Sequence, residues 1–249
     1  MTLPILSVIT ASFNAVSTIR RCCESVAGQD CAPIEHLVVD GGSTDGTLDI
    51  LRDCGVRHES APDAGLYDAL SKGVRMARGE FVHILDADDW YAHPSALSSV
   101  VAAMNAHEWD LCHARAAHVN ASGHVVRVIG RDLDQRRLLK KMWVAQAAVV
   151  VRKAIYERYG AFSVGFRVAA DYEFLLRIWD QVRVGFLDEI LVQAAIGGIS
   201  TRSENVVRSY RESMAAAVIH GAHPVPAAIR CSYEIAKHRL FFERRYRQT

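Results

Sequence analysis

Short runs of β-branched and aliphatic residues alternate with longer stretches whose apolar positions recur every three or four residues. The first run, Leu-Ser-Val-Ile-Thr from Leu6 to Thr10, reads as a buried strand. Val16 to Gln29 then carries Val16, Ile19, Cys22, Cys23 and Val26 at helical spacing. Ile34 to Val39 is strand-like again, and Thr47 to Asp53 predicts the next helix. Arg57 to Ser60 predicts a short strand. Tyr67 to Arg78 places Leu70, Val74 and Ala77 on one helical face, with Gly79 as its C′ stop. Phe81 to Leu85 is a fourth apolar strand, ending in Asp86-Ala-Asp-Asp89.

This rhythm of strand and helix implies right-handed crossovers and a mostly parallel sheet, so the fold class is α/β. Ligands of such sheets bind at the carboxyl ends of the strands. That rule brings Thr10–Asn14, Asp40–Asp45 and Asp86–Asp89 to one edge. The second half is less regular. Ser95 to Asn105 predicts a helix, and 111–117 with 125–129 flank Asn120-Ala-Ser-Gly123 as a hairpin. Leu133 to Met142 reads as a basic helix, 147–151 as a strand, 154–159 as a short helix stopped by Gly160, and 171–179 as a helix. Val182–Leu187 and Ile190–Ala195 read as two strands. From Asn205 onward the pattern is helical, with a break at His223-Pro-Val-Pro226.

Composition narrows the class. Half of the 249 residues are hydrophobic, which excludes a disordered chain. No run of about 20 apolar residues is present to cross a bilayer. Basic and acidic residues nearly cancel, 29 against 28, which argues against nucleic acid as a partner. The six cysteines have no metal or redox spacing and read as buried thiols of a reducing compartment. The N-terminus lacks a basic leader region, so the expected location is the cytoplasm.

Three segments carry candidate chemistry. The strand ending in Asp86, Asp88 and Asp89 gathers three carboxylates within four residues. Such anions repel one another, and a divalent cation relieves the repulsion; the plainer reading is a solvated acidic turn that caps a helix. Asp40-Gly-Gly-Ser-Thr-Asp-Gly46 has glycines that admit close backbone approach, but neither dinucleotide nor P-loop spacing; it also reads as an ordinary strand-to-helix turn. In Ser60 to Gly73, Asp63 precedes a turn, and Tyr67, Asp68 and Lys72 share one side of a helix, where Asp68 and Lys72 could equally be a surface ion pair.

Taken together, from Ile5 to about Ile178 the chain resembles the family 2 glycosyltransferases of GT-A fold, close to the branch that builds bacterial exopolysaccharides and cell-surface glycolipids. The resemblance rests on five motifs in order: Ser7 to Asn14, Val39 to Thr47, Pro62 to Ala69, Lys72 to Gly79 and Leu85 to Trp90. It implies a Rossmann-like, mostly parallel sheet flanked by helices, with a helical C-terminal appendage. It divides the chain into a GT-A domain over 1–200 (nucleotide-sugar half 1–92, acceptor half 93–200) and an extension over 201–249. The implied activity is metal-dependent, inverting transfer of a sugar from a UDP- or GDP-linked donor to a hydroxyl of a glycan or lipid-linked acceptor.

By the same resemblance Asp40 contacts the nucleotide base, and Ser12 and Asn14 line its pocket. Asp63, Asp68 and Lys72 lie beside ribose and donor sugar, and Thr10, Gly42, Ser43, Tyr67 and Ala87 complete the nucleotide-sugar positions. Asp86 and Asp88 form the D-x-D pair for Mg²⁺ or Mn²⁺, with Asp88 favoured as direct ligand. The segment Val168 to Arg177 resembles the one that supplies the catalytic base, with Asp171 as first candidate and Glu173 as second; the residue-level alternative makes Asp171 a helix N-cap. The family's Glu-Asp pair is Ala170-Asp171 here, and a common His-Gln is Ala145-Gln146. Gly197 to Thr201 resembles a loop that closes over the donor. His113 is a weaker candidate beside the acceptor.

The basic tail, Lys237 to Arg247, interleaves Leu240, Phe241 and Phe242 with five Lys/Arg. This suits either packing on the domain or peripheral contact with the inner face of the cell membrane. Two further readings stand beside transfer: a sugar nucleotidyltransferase, and an inactive binding subunit of a glycan synthase. The first should carry a basic glycine-rich loop after the first strand, which Ala11–Ala15 lacks. The intact carboxylates argue against the second.

Overall fold

The computed structural model describes residues 3–120, 122–196 and 203–246, giving only the backbone path for 203–204 and 239–246. In chain order the first half runs β1 (Leu6–Ser12), α1 (Ile19–Ala27), β2 (Ile34–Asp40), α2 (Thr47–Asp53), β3 (Arg57–Ser60), α3 (Leu66–Met76) and β4 (Phe81–Ile84). The second half adds β5 (Trp90–Tyr91), α4 (Ala96–Ala106), β6 (Leu111–Val119), β7 (Val125–Ile129), α5 (Gln135–Leu138) and β8 (Val149–Arg152). It continues with α6 (Lys153–Tyr159), α7 (Ala170–Ile178), β9 (Val184–Ala195), α8 (Ser203–Ile219) and α9 (Pro224–Tyr246).

Among the described residues these strands form one sheet in the order β3-β2-β1-β4-β8-β6-β9-β5, with β7 paired to β6. The β3-β2-β1-β4 half is parallel, as the crossover rhythm predicts. β8 joins it antiparallel, and the β6–β9 pair is parallel again. Both faces are covered, so β1 is apolar on both sides. Leu6 and Val8 pack with Ile19, Leu51 and Leu97 of α1, α2 and α4. Ile9 packs on the other face with Leu70, Val74 and Leu175 of α3 and α7.

Several expected boundaries shift for identifiable reasons. The basic helix over 133–142 shrinks to one turn. Asp134 caps it by accepting the Arg137 N–H at 2.8 Å, while the Tyr172 hydroxyl takes the Leu138 carbonyl and Arg230 the Lys140 carbonyl. Those carbonyls are therefore diverted from helix propagation. Val182–Leu187 and Ile190–Ala195 are one strand, β9, bent by register shifts opposite Arg115. Residues 146–148 form a 3₁₀ turn before β8. Gly79 lies three residues beyond α3 instead of stopping it. Its backbone crosses β1 so closely that a Cβ would lie 2.6 Å from the Leu6 carbonyl carbon.

At the C-terminal end α8 and α9 form a hairpin across the Pro-containing break, and α8 packs on α7. Among the described residues no helix is long and apolar enough to cross a membrane.

Candidate active site

The parallel half places the ends of β1, β2, β3 and β4 side by side, since Ser12 pairs with Asp40, Asp40 with Ser60, and Ile9 with Ile84. Each strand releases its loop at this edge. Asn14 holds a left-handed φ of 50° in the first loop, where its amide oxygen accepts the Thr44 N–H at 3.0 Å. Its own N–H donates to Ser43 Oγ at 2.7 Å, so the first two loops are stitched together.

Asp40 organises this corner from inside. It is fully buried, and its two oxygens accept from Ser12 Oγ, Ser60 Oγ, Ser43 Oγ and the N–H groups of Gly42 and Ser43, at 2.5–3.0 Å. Burial acts to raise its carboxyl, but these donors, Ser43 foremost, outweigh it and hold it below the usual carboxylate range. A carboxylate so buried and so fully bonded shapes the loops. Ser12 and Ser43 are buried with it. Thr10 is also fully buried, its hydroxyl 3.1 Å from His36 Nε2 and on the Cys22 side of the strand.

The accessible surface beside them is made by other residues. Phe13 is 65% exposed, an unusual cost for a phenylalanine. A Cβ built on Gly41 would lie 2.9 Å from Asp63 Oδ2 and 3.4 Å from the Phe13 ring, so the three enclose one corner over the sheet edge. Asp63 Oδ1 accepts the Gly65 N–H at 2.8 Å. Gly42 has φ 89° and is part-exposed. Phe13 lies within the quoted Ser7–Asn14 motif, and its signal was an aromatic residue in a strand-end loop. Asp68 and Lys72 form an ion pair at 2.8 Å on α3, so the lysine is already engaged.

The β4 loop carries the acidic group. Asp86 is exposed at this edge, while Asp88 and Ala87 are half-buried. Among the described residues neither carboxylate, Asp86 nor Asp88, accepts a hydrogen bond or ion pair. The carboxyl of Asp86 is pushed upward by desolvation first, then by Asp88 and Asp171. Asp89 is buried and accepts the Ala195 N–H at 2.9 Å, tying this loop to the end of β9; desolvation, then Asp86 and Asp88, push it upward too. Arg21 stacks 3.4 Å over the Trp90 ring and donates to the Asp88 carbonyl at 3.1 Å, fixing the backbone of the turn. An uncompensated carboxylate pair at this edge suits a hard divalent cation. Among the described residues no three His, Cys, Asp or Glu gather to hold a metal, so oxygens from outside the protein would complete its shell.

Asp171 reaches this edge from α7. Its Oδ1 accepts the Tyr67 hydroxyl at 3.0 Å and the Tyr172 N–H at 2.8 Å, and no donor among the described residues takes Oδ2. Desolvation raises its carboxyl above the ordinary range, against the Tyr172 and Tyr67 bonds. The helix N-cap is Ala169, so Asp171 is not a cap. Tyr67 is buried and thus works from behind Asp171. Glu173, the second candidate, points elsewhere. It is 5% exposed and bonded to Ser163 Oγ at 2.8 Å, Arg177 at 3.2 Å and His220 Nε2 at 3.0 Å. That closed network removes it as a base.

His113 is 1% exposed between Trp179 and Phe186, and burial lowers its imidazole to about 4; it cannot approach an acceptor. β8 runs antiparallel to β4, so the turn before it lies beside the β4 end. There Gln146 keeps a buried side-chain oxygen without a partner. The loop at 197–201 lies outside the described residues. Two cavities lie away from this edge, one of about 500 Å³ lined by Cys23, His36 and Cys54 and one of about 180 Å³ lined by Tyr172, Tyr210 and Met214. Neither cavity is lined by Asp86, Asp88 or Asp171.

Comparison with known proteins identifies the family and the fold. A profile of glycosyl transferase family 2 matches residues 7–171. A PGL/p-HBAD biosynthesis glycosyltransferase of Mycobacterium bovis is 33% identical over 189 residues, covering 71% of this chain and 70% of the relative. S. aureus TarS 1–349 in complex with UDP-GlcNAc superposes with a TM-score of 0.70 at 20% identity, over 95% of this chain and 73% of that one. A mannosyltransferase from Pyrobaculum calidifontis in complex with GDP-Man and Mn²⁺ superposes at 0.67 and 18% identity, over 97% and 76%. The two superpositions show a shared GT-A fold.

Proposed function

The chain belongs to glycosyl transferase family 2, and from that premise we propose that it moves a sugar, with inversion, from a nucleoside diphosphate donor to a hydroxyl of a cell-surface glycan or lipid-linked acceptor. The observation that carries this reading is the half-anchored Asp171. One oxygen is held by Tyr67 and the Tyr172 N–H, and the other is unbonded near Asp86. The free oxygen accepts the acceptor's hydroxyl proton as the hydroxyl oxygen bonds to the anomeric carbon. The bond from that carbon to the diphosphate breaks on the opposite face, releasing the nucleoside diphosphate. A carboxyl raised by burial is a stronger base near neutral pH, which suits the role. Membership in this family argues against the nucleotidyltransferase, and the intact carboxylates argue against an inactive binding subunit.

Asp88 and Asp86 would hold Mg²⁺ or Mn²⁺, and a bound cation would supply charge neutralisation of the departing diphosphate. Phe13 offers a stacking face for the base, with Asp63 beside it as a polar partner and Asp40 holding the loops beneath. The relatives' complexes with UDP-GlcNAc and with GDP-Man and Mn²⁺ support this donor class. A thermal-shift panel tests it. UDP or GDP with Mn²⁺ should raise the melting temperature in proportion to log concentration, and a flat response to every nucleoside diphosphate would remove the donor assignment.

The domain division at residue 200 remains part of this proposal. So does a peripheral position on the cytoplasmic face of an anionic membrane. Val225, Ile229 and Tyr233 recur every four residues along α9 and are each about 60% exposed, opposite the buried Ala227 and Cys231. Arg230 and Glu234 of α9 bond the Lys140–Lys141 segment, which brings Arg136, Arg137, Lys140 and Lys141 alongside. An apolar stripe flanked by cations fits anionic lipid. The protein should sediment with phosphatidylglycerol-containing vesicles and not with phosphatidylcholine alone, and Ile229→Glu with Tyr233→Glu should abolish sedimentation. Equal behaviour on both vesicles, or a solution dimer that the same substitutions dissociate, would assign the stripe elsewhere.

A further inference from the structure

The helix that carries Asp171 begins without a cap of its own. Its N-cap is Ala169, which has no side chain to accept the leading N–H groups. Inside the helix the Tyr172 N–H turns to Asp171 Oδ1, and the backbone that leads into the helix is held from outside. Glu212, from the middle of α8, accepts the N–H of Arg167 at 3.0 Å, of Val168 at 2.8 Å and of Ala169 at 3.1 Å, all on Oε2. A carboxylate at a helix start also meets the positive end of the helix dipole. The carbonyl of the same Val168 accepts the Tyr67 hydroxyl at 2.9 Å, and that hydroxyl also bonds Asp171. One chain of contacts therefore runs from α8 through the pre-helix backbone to Tyr67 and Asp171. A second contact, His220 to Glu173, fastens the end of α8 to α7 one turn further on.

We propose that Glu212 is a positioning residue for the base, so that α8, beyond the division at residue 200, takes part in the catalytic assembly. The proposal rests on Asp171 being the base. Glu212 also brings a negative charge from another element, and that charge acts, after desolvation, to raise the Asp171 carboxyl. The α8 carboxylate thus both fixes the loop that aims Asp171 and favours its protonated form during transfer.

Three variants test this: Glu212→Ala, Glu212→Gln and Asp171→Asn, assayed for kcat, donor KM and donor-induced thermal shift. Glu212→Ala should lower kcat about tenfold, the scale of a small misplacement of a reacting group, with donor KM and thermal shift within about twofold of wild type. Glu212→Gln keeps an oxygen acceptor without the charge, so it should fall between. If Glu212→Ala fails to fold, Glu212→Gln carries the test alone, with a kcat loss of about threefold at unchanged donor KM. Wild-type kcat in the Glu212 variants beside an inactive Asp171→Asn would overturn the positioning role alone. An equal loss of kcat and donor binding would reduce Glu212 to a structural residue. Full activity of Asp171→Asn would instead overturn the base assignment beneath it.

Discussion

Replacing Asp88 with alanine is expected to lower donor turnover by about 10²–10³-fold, the range seen when one charge-stabilising group leaves a reaction centre. The same substitution should not lower the melting temperature. Asp88 is half-buried, its side chain holds no hydrogen bond, and its charge pushes the carboxyls of Asp86 and Asp89 upward. Removing it relieves repulsion in the folded state, so stability stays level or rises. That opposition between function and stability marks a site held for a ligand and not for the fold. Steady-state turnover and a melting curve on one preparation measure both. An alanine variant that melts early and turns over normally would mean an ordinary acidic turn.

Replacing Asp171 with asparagine should reduce kcat by about 10²–10⁴-fold, the usual span for losing a general base. The amide oxygen can still accept from Tyr67 and the Tyr172 N–H, so the loop keeps its shape and donor binding is retained. Glu173 lies only two residues on but cannot substitute. Its oxygens are committed to Ser163, Arg177 and His220 in a closed interior. The assay is single-turnover transfer with donor bound in excess, which separates the chemical step from binding. A kcat within threefold of wild type would remove Asp171 from the reaction.

What the chain reveals before folding follows how local the physics is. The alternation of apolar strands with helical faces is a short-range pattern, and with the edge rule it was enough to bring 10–14, 40–45 and 86–89 together. The acidic cluster after β4 was legible because all its members lie within four residues. Roles that depend on partners far along the chain were not legible. That serines at 12, 43 and 60 all converge on Asp40 depends on three separate strands and loops meeting in space. Glu173 looked like an alternative base until Ser163 and His220 closed around it. Glu212 stood in an undistinguished amphipathic helix, and only the packing of α8 on α7 gives its charge a function. The basic helix at 133–142 failed for the same reason, since Tyr172 and Arg230 capture its carbonyls from other elements.

The central claim is that unpaired carboxylates at the β4 end and a half-anchored Asp171 together drive transfer from a nucleoside diphosphate sugar. Its most direct test is release of nucleoside diphosphate from UDP- and GDP-linked sugars, followed against Mn²⁺ concentration for the wild-type chain and the Asp88→Ala variant. Release that rises and saturates with Mn²⁺, stops on chelation, and is lost in the variant is the predicted result. Release that ignores both the metal and the loss of Asp88 would contradict the account.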